Sequence, residues 1–245
     1  MNDTHGPSIR ICNEELIPDP LGALYWPREH TLIVADLHFE KGSSFAPKGV
    51  LLPPYDTRTT LMRLRALMRR YCPLRVISLG DAFHDGDAEM RIDPADAEFL
   101  TDLMSETEWI WVLGNHDPEP PARFAAQTHN EMKLGPFVLC HEPQTAPAPG
   151  EIAGHLHPCA RVRHEGRTLR RRCFAVCSGG ERLVMPALGA YTGGLNILDE
   201  AFAPLFEAPV AWVMGEEGVY PIGAHSLAPD PGAAWKDAVK QGARG

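Results

Sequence analysis

Nowhere in this 245-residue chain is there an unbroken apolar stretch of the roughly 18 residues that a membrane-spanning helix needs. The start, Met1 to Glu15, mixes Asn, Asp, His, Pro and Glu without an apolar run of signal-peptide length, so a cytoplasmic protein with no membrane partner is expected. The six cysteines, Cys12, Cys72, Cys140, Cys159, Cys173 and Cys177, form no C-x-x-C pair, which argues against structural zinc and for free thiols in a reducing compartment. Positive charge is also scarce. With 23 Lys and Arg against 32 Asp and Glu, the formal net charge of −9 argues against coating nucleic acid by overall attraction, and any such contact must be local. There is no internal repeat, and the Pro/Ala stretch at 143–149 reads as a loop.

The composition, 44% hydrophobic and 22% charged, is that of a soluble globular protein long enough for one large domain. That domain is expected over residues 1–225. From His225 onward Pro229, Pro231, Gly232 and several Ala and Lys residues leave little to bury, so 226–245 reads as a flexible tail.

Short apolar runs end repeatedly at polar residues able to bind metal. Thr31 to Ala35 (TLIVA) reads as a buried strand leading to Asp36; Leu74 to Leu79 leads to Gly80-Asp81, Trp109 to Leu113 to Gly114-Asn115, and Phe137 to Cys140 to His141. Between them Asp56 can cap a helix through about Tyr71, with Leu61, Leu64, Met68 and Tyr71 on one face. A second helix starts with Asp93 as cap and Pro94 at its first position, burying Phe99, Leu100 and Leu103. After Gly150 the chain turns strand-like, at Arg170 to Cys177, Arg182 to Met185, Leu195 to Leu198, Ala208 to Met214 and Gly218 to Pro221. An α/β first half and a β-rich second half follow.

Seven metal-type ligands fall in five blocks: Asp36-Leu37-His38, Gly80-Asp81, Gly114-Asn115-His116-Asp117, Cys140-His141-Glu142 and Gly154-His155-Leu156-His157. Asp36, His38 and His157 can serve one divalent ion and Asn115, His141 and His155 another, with Asp81 as the shared anion. Mixed carboxylate, amide and imidazole donors suit Mn²⁺, Fe²⁺ or Zn²⁺. His155 and His157, two apart on a segment read as extended, are expected to point the same way. Cys140 and Cys159 flank ligands but read as small buried side chains.

Two basic stretches stand out. Arg58, Arg63, Arg65, Arg69 and Arg70 on the first predicted helix read as a solvated face. Arg161, Arg163, Arg167, Arg170, Arg171 and Arg172 lead away from His157 and have two readings, a track for a phosphate backbone or a plain exposed hairpin.

These blocks, in this order, resemble the calcineurin-like metallophosphoesterase superfamily, with its D-x-H, G-D-x-x-D, G-N-H-D/E, H and G-H-x-H pattern, over roughly residues 31–195. The segments ALYWP (23–27), VADLHFEKG (34–42), SLGDAFH (78–84), AGHLHPCARVR (153–163) and MPALGAYTGG (185–194) further resemble the bacterial ligase-associated phosphoesterase or DNA-damage-response endonuclease family. The resemblance implies an α/β fold, a four-layer αββα sandwich of two mixed sheets flanked by helices. It also implies a manganese-dependent phosphodiesterase or endonuclease on nucleic acid, linked to DNA repair beside a ligase, a helicase and an exonuclease.

His116 is free to protonate the leaving oxygen if Asn115 binds metal, and the resemblance supports that role. Where the superfamily pattern G-D-x-x-D-R has an aspartate that orients the acid histidine and an arginine that holds phosphate, this chain has His84 and Asp85. Asp85, Asp117 or no carboxylate at all can then orient His116. Without that arginine a diester is favoured over a monoester, with His84 and Lys41 as candidate substrate contacts. The alternatives are a small-molecule phosphodiesterase or pyrophosphatase, acting on 2′,3′-cyclic nucleotides or on nucleotide or lipid conjugates, and more remotely a non-catalytic scaffold.

Overall fold

The computed structural model describes residues 7–45, 49, 52–53, 55–119, 121–146 and 148–231. Along them run β1 (Ile9–Ile11), β2 (Glu14–Pro18), β3 (Leu24–Trp26), β4 (Thr31–Ala35), α1 (Lys41–Ser44), α2 (Asp56–Tyr71), β5 (Arg75–Leu79), α3 (Ala88–Arg91), α4 (Pro94–Ser105), β6 (Glu108–Val112), β7 (Gln127–His129), β8 (Glu131–Leu134), β9 (Phe137–Cys140), β10 (Glu151–Ala153), β11 (Cys159–His164), β12 (Arg167–Cys177), β13 (Arg182–Val184), β14 (Pro209–Met214) and β15 (Val219–Ile222).

The central strands are apolar on both faces because both faces are covered. Leu32 and Val34 of β4, Val76 of β5 and Trp109 and Trp111 of β6 pack with Leu61, Leu64 and Leu67 of α2 and Leu100 and Leu103 of α4. Their neighbours Ile33, Ala35, Ile77, Leu79, Ile110 and Val112 face the other way, onto Leu139, Ile152, Phe174 and Leu183 of a second sheet. Burying each such large side chain contributes on the order of 2 kcal/mol. A one-residue slip would exchange the two cores, so the pattern also fixes register.

The first sheet has the order β1-β2-β3-β4-β5-β6-β7, antiparallel up to β4 and parallel from there. The second has the order β15-β14-β12-β13-β10-β9-β8, with β11 paired to β12, and is parallel only across β9, β10 and β13. Two mixed sheets face to face form the expected α/β sandwich. On the outer face of the second sheet the cover is a 3-10 turn, Glu200–Phe202, and the coil around it, whose Ile197, Phe202, Leu205 and Phe206 pack on Ala175, Ala211 and Val213.

Several local expectations change. Tyr55, not Asp56, is the N-cap of α2, because the Asp56 carboxylate accepts from Gly42 N at 2.8 Å. Asp93 does cap α4, through Ala95 N at 2.8 Å. Phe99 on α4 is half-buried, with the Arg65 guanidinium 4.4 Å from its ring centroid. Leu195 to Leu198 is no strand: Asn196 makes one bridge to Cys159 and turns its amide to Leu198 N (3.0 Å) and Ala228 O (2.8 Å). The start of the supposed tail is packed, since Leu227 bridges Val162 and both Leu227 and Ala228 are buried. Residues 226–231 therefore belong to the domain, and 232–245 lie outside the described residues. Among the described residues no helix is long and apolar enough to cross a membrane.

Candidate metal centre

The five sequence blocks follow the C-terminal ends of β4, β5, β6, β9 and β10. Because β4, β5 and β6 are parallel in one sheet and β9 and β10 in the other, these ends gather at one edge of the sandwich. Asp36, His38, Asp81, His155 and His157 have φ of 53°, 46°, 47°, 69° and 45°. That left-handed region costs an L residue on the order of 1 kcal/mol or more and is held only where the surroundings enforce it. His155 and His157 are therefore not on an extended segment, and each supplies a different group of ligands. Neighbouring glycines make room: a Cβ at Gly80 would lie 2.3 Å from His141 Nδ1, and one at Gly114 2.2 Å from Asp81 Oδ1.

Two groups form, Asp36 with His38 and His157, and Asp81 with His141 and His155, in each of which one ligand atom per residue lies within 4.8 Å of the others. In the first, His157 Nε2 is 3.2 Å from Asp36 Oδ1 and 3.3 Å from His38 Nε2. In the second, His141 Nε2 is 3.1 Å from His155 Nδ1, 3.3 Å from Asp81 Oδ1 and 2.9 Å from Asn115 Oδ1. The other Asp81 oxygen, Oδ2, is 3.8 Å from His38 Nε2 in the first group. Asp81 thus turns one oxygen toward each group. All seven predicted ligand residues come together.

Ring nitrogens facing each other and facing carboxylate and amide oxygens are the arrangement that divalent ions of intermediate character reward, so the donor set fits such ions. His141 Nδ1 lies 3.1 Å from Leu79 O; a carbonyl only accepts, so Nδ1 carries hydrogen and Nε2 is left toward the cluster. Burial lowers the His141 pKa, but the Asp81 hydrogen bond and the charges of Asp36 and Asp81 outweigh it and raise it to about 9. For His38 burial dominates, aided by Lys41 and His157, and the pKa falls to about 2.

His116 is exposed at the rim, its Nδ1 2.9 Å from His84 O and its ring stacked on that of His84 with centroids 5.1 Å apart. Among the described residues no carboxylate contacts its ring, although Asp81 Oδ1 accepts from its backbone N at 2.9 Å. Asp85 is occupied by Arg91 through two bonds of 2.9 and 2.8 Å, and Arg91 also donates to Ser43 Oγ. Asp117 accepts from four backbone N–H groups, those of Asp81, Ala82, Phe83 and Gly114, at 2.7 to 3.1 Å. It clamps the loop that carries Asp81 to the loop that carries Asn115. Sequence reasoning missed this role, and the only signal for it was an acid beside a ligand.

His84 and Lys41 both lie at this edge. His84 Nδ1 is 3.4 Å from His38 Nδ1, and burial, with the charges of Lys41 and His116, lowers its pKa to about 4. Lys41 is half-buried; burial lowers its pKa against the opposing pull of Asp81, Asp36 and Asp56. Cys140 and Cys159 are buried and belong to neither group, and burial pushes the Cys140 thiol up to about 12.

The calcineurin-like phosphoesterase family matches residues 30–164, which hold all seven clustered residues and more than half of the chain. Among solved structures, Pseudomonas putida nuclease MPE is 29% identical, with 88% of this chain and 99% of that one covered and a TM-score of 0.67. Yfce, a phosphoesterase from E. coli, is 13% identical over 79% of this chain and 98% of its own, with a TM-score of 0.38. AQ665 from Aquifex aeolicus, described as a protein of unknown function, is 15% identical over 56% of this chain and 81% of its own, with a TM-score of 0.36. No curated protein sequence matches.

Proposed function

This chain belongs to the calcineurin-like phosphoesterase family and is a metal-dependent phosphoric ester hydrolase, and from that premise we propose that it cleaves phosphodiester bonds in nucleic acid with a pair of manganese ions. The observation that carries the reading is Asp81, with one carboxylate oxygen toward each of two histidine groups. The proposed ligands are Asp36, His38 and His157 at one ion and Asn115, His141 and His155 at the other, with Asp81 between them. Bound, the ions supply Lewis acidity to the phosphoryl oxygens and lower the pKa of water toward neutrality. Mixed oxygen and nitrogen donors without thiolates suit manganese, iron and zinc alike, and manganese leads among them on the family resemblance.

The protein's own residues do the rest. With Nδ1–H held by the His84 carbonyl, His116 presents Nε2 at the exposed rim, and in its doubly protonated form it gives the Nε2 proton to the leaving oxygen and is left neutral. Lys41 adds positive charge on the His38 side, and His84 lines the approach through its contacts with His38 and His116. A diester is favoured because Arg91, the guanidinium of α3, is tied up by Asp85 and does not replace the missing phosphate clamp, and a diester carries less charge to neutralise. The likeness to a nuclease at 29% identity supports a nucleic-acid strand as substrate, and the resemblance of the flanking segments extends the proposal to DNA repair.

Hydrolysis of bis-p-nitrophenyl phosphate and of p-nitrophenyl phosphate by manganese-loaded protein tests the reading, with a single-stranded oligonucleotide beside 2′,3′-cyclic nucleotides as natural substrates. The diester and the oligonucleotide should be the faster substrates. A preference for the monoester would contradict diesterase action, and cleavage of cyclic nucleotides alone would contradict the strand.

A further inference from the structure

Two half-buried guanidinium groups, of Arg63 on α2 and Arg172 on β12, grip the loop 187–190. Arg63 Nη1 donates to Leu188 O at 2.6 Å; Arg172 donates through Nη1 to Ala187 O at 3.0 Å and through Nη2 to Gly189 O at 3.0 Å. Among the described residues neither has a carboxylate within ion-pair distance. Burial lowers the pKa of both, and in Arg172 the charge of Arg63 lowers it further. Among the described residues exposed Arg171, next along the strand, donates only to Arg170 O at 3.1 Å. All three line one cleft of about 300 Å³ together with Leu21, Met214 and the exposed Glu216.

The basic hairpin foreseen in the sequence therefore divides in two. Arg161 and Arg170 share Asp230 as a counter-ion, each with Nε 3.8 Å from its Oδ1. Among the described residues Arg63, Arg171 and Arg172 have no carboxylate within ion-pair distance. A guanidinium has five N–H donors, and Arg63 and Arg171 each spend one on backbone; a cation taken out of water without a counter-ion is costly. Three cations against one exposed carboxylate leave the cleft short of negative charge. The same loop touches the metal centre on its other side, where Leu188 N donates to Ala35 O at 2.9 Å and Gly189 N to Asp36 O at 3.1 Å. A Cβ at Gly189 would lie 2.5 Å from Leu37 O, so the approach is as close as backbone allows.

We propose that Arg63, Arg171 and Arg172 form a second phosphate-binding site, one loop away from the metal centre, that holds a further phosphate of the strand being cut. The site itself stands on the arginine cluster; only the strand as the source of the phosphate rests on the nuclease reading. Planar, multi-donor guanidinium groups match phosphate oxygens, and backbone phosphates are what position a nucleic acid without reading its sequence.

Arg171 is the residue to change, since Arg63 and Arg172 also fasten the loop. Full-length protein in EDTA is titrated with a fluorescein-labelled single-stranded oligonucleotide at several salt concentrations, and separately with inorganic phosphate, using wild type, Arg171→Glu, Arg171→Gln and Glu216→Gln. Arg171→Glu should weaken oligonucleotide binding about tenfold and make its salt dependence shallower by about one phosphate contact, while Glu216→Gln should tighten binding. If only inorganic phosphate binding responds to these changes, the phosphate site stands and a free anion is its ligand. If neither titration responds in any of the three variants, the site is refuted. Because the titrations need no metal and no turnover, a wild-type protein that fails to hydrolyse diesters would overturn the proposed function without bearing on this site.

Discussion

His116 Nδ1 lies 2.9 Å from the backbone carbonyl oxygen of His84, and among the described residues no carboxylate contacts its ring. A carbonyl only accepts, so Nδ1 carries hydrogen and Nε2 is the nitrogen that would carry the transferable proton of the proposed acid. His116→Ala should lower kcat about 10²- to 10⁴-fold while both ions remain bound. Asp85→Asn should leave kcat within about twofold, because Asp85 serves Arg91. Steady-state kinetics with metal analysis on the same samples check both; ions lost with His116 would make it a ligand instead of an acid.

Asp81 and His155 should separate the shared ligand from the private one. Removal of Asp81 takes an oxygen from each group, whereas removal of His155 takes a nitrogen from one. After gel filtration, Asp81→Ala should retain less than about one ion and His155→Ala about one. Equal losses would contradict the division of ligands.

Asp117 contributes structure, whereas the role proposed for its neighbour His116 is chemical. Its carboxylate satisfies four backbone N–H groups, and each buried donor left unpaired costs roughly 1–3 kcal/mol. Asp117→Ala should lower the unfolding free energy of metal-free protein by about 3 kcal/mol or more, and Asp117→Asn, which keeps one acceptor, by less. Urea melts in EDTA give the values; an alanine variant as stable as wild type would remove the clamp from the account.

The pH dependence of metal loading follows from His141, whose pKa stands at about 9 in the metal-free protein. A raised folded-state value means that the bound proton stabilises the empty fold fully below the unfolded pKa, and that this contribution is lost as pH rises through about 9. The same proton must leave before Nε2 can coordinate. Metal affinity should therefore rise about tenfold per pH unit between roughly pH 7 and 9, with one proton released at the second ion. Calorimetry in two buffers of different ionisation enthalpy measures that release, and its absence would contradict His141 as a ligand.

The gathering of the seven candidate ligands was legible because each block follows a run such as Thr31–Ala35 or Phe137–Cys140, and strands buried on both faces announce themselves as continuous apolar segments. Asp93 was legible as a cap because Pro94 follows it and fixes the first turn. What could not be read was set by partners far along the chain. Asp56 looks like a cap until Gly42 takes its carboxylate, and Leu227 looks like tail until Val162 pairs with it. The left-handed backbone of His155 and His157 has no marker in a histidine-rich segment, and Asp117 acquires its role only when the loop 81–83 folds onto it. The pairing of Arg63 with Arg172 around one loop is likewise a tertiary fact.

Anomalous diffraction at the manganese edge, on crystals grown with excess manganese, would bear most directly on the shared role of Asp81. Two peaks are expected, one among Asp36, His38 and His157 and one among Asn115, His141 and His155, with the Asp81 carboxylate between them. A single peak, or a pair that Asp81 does not touch, would contradict it.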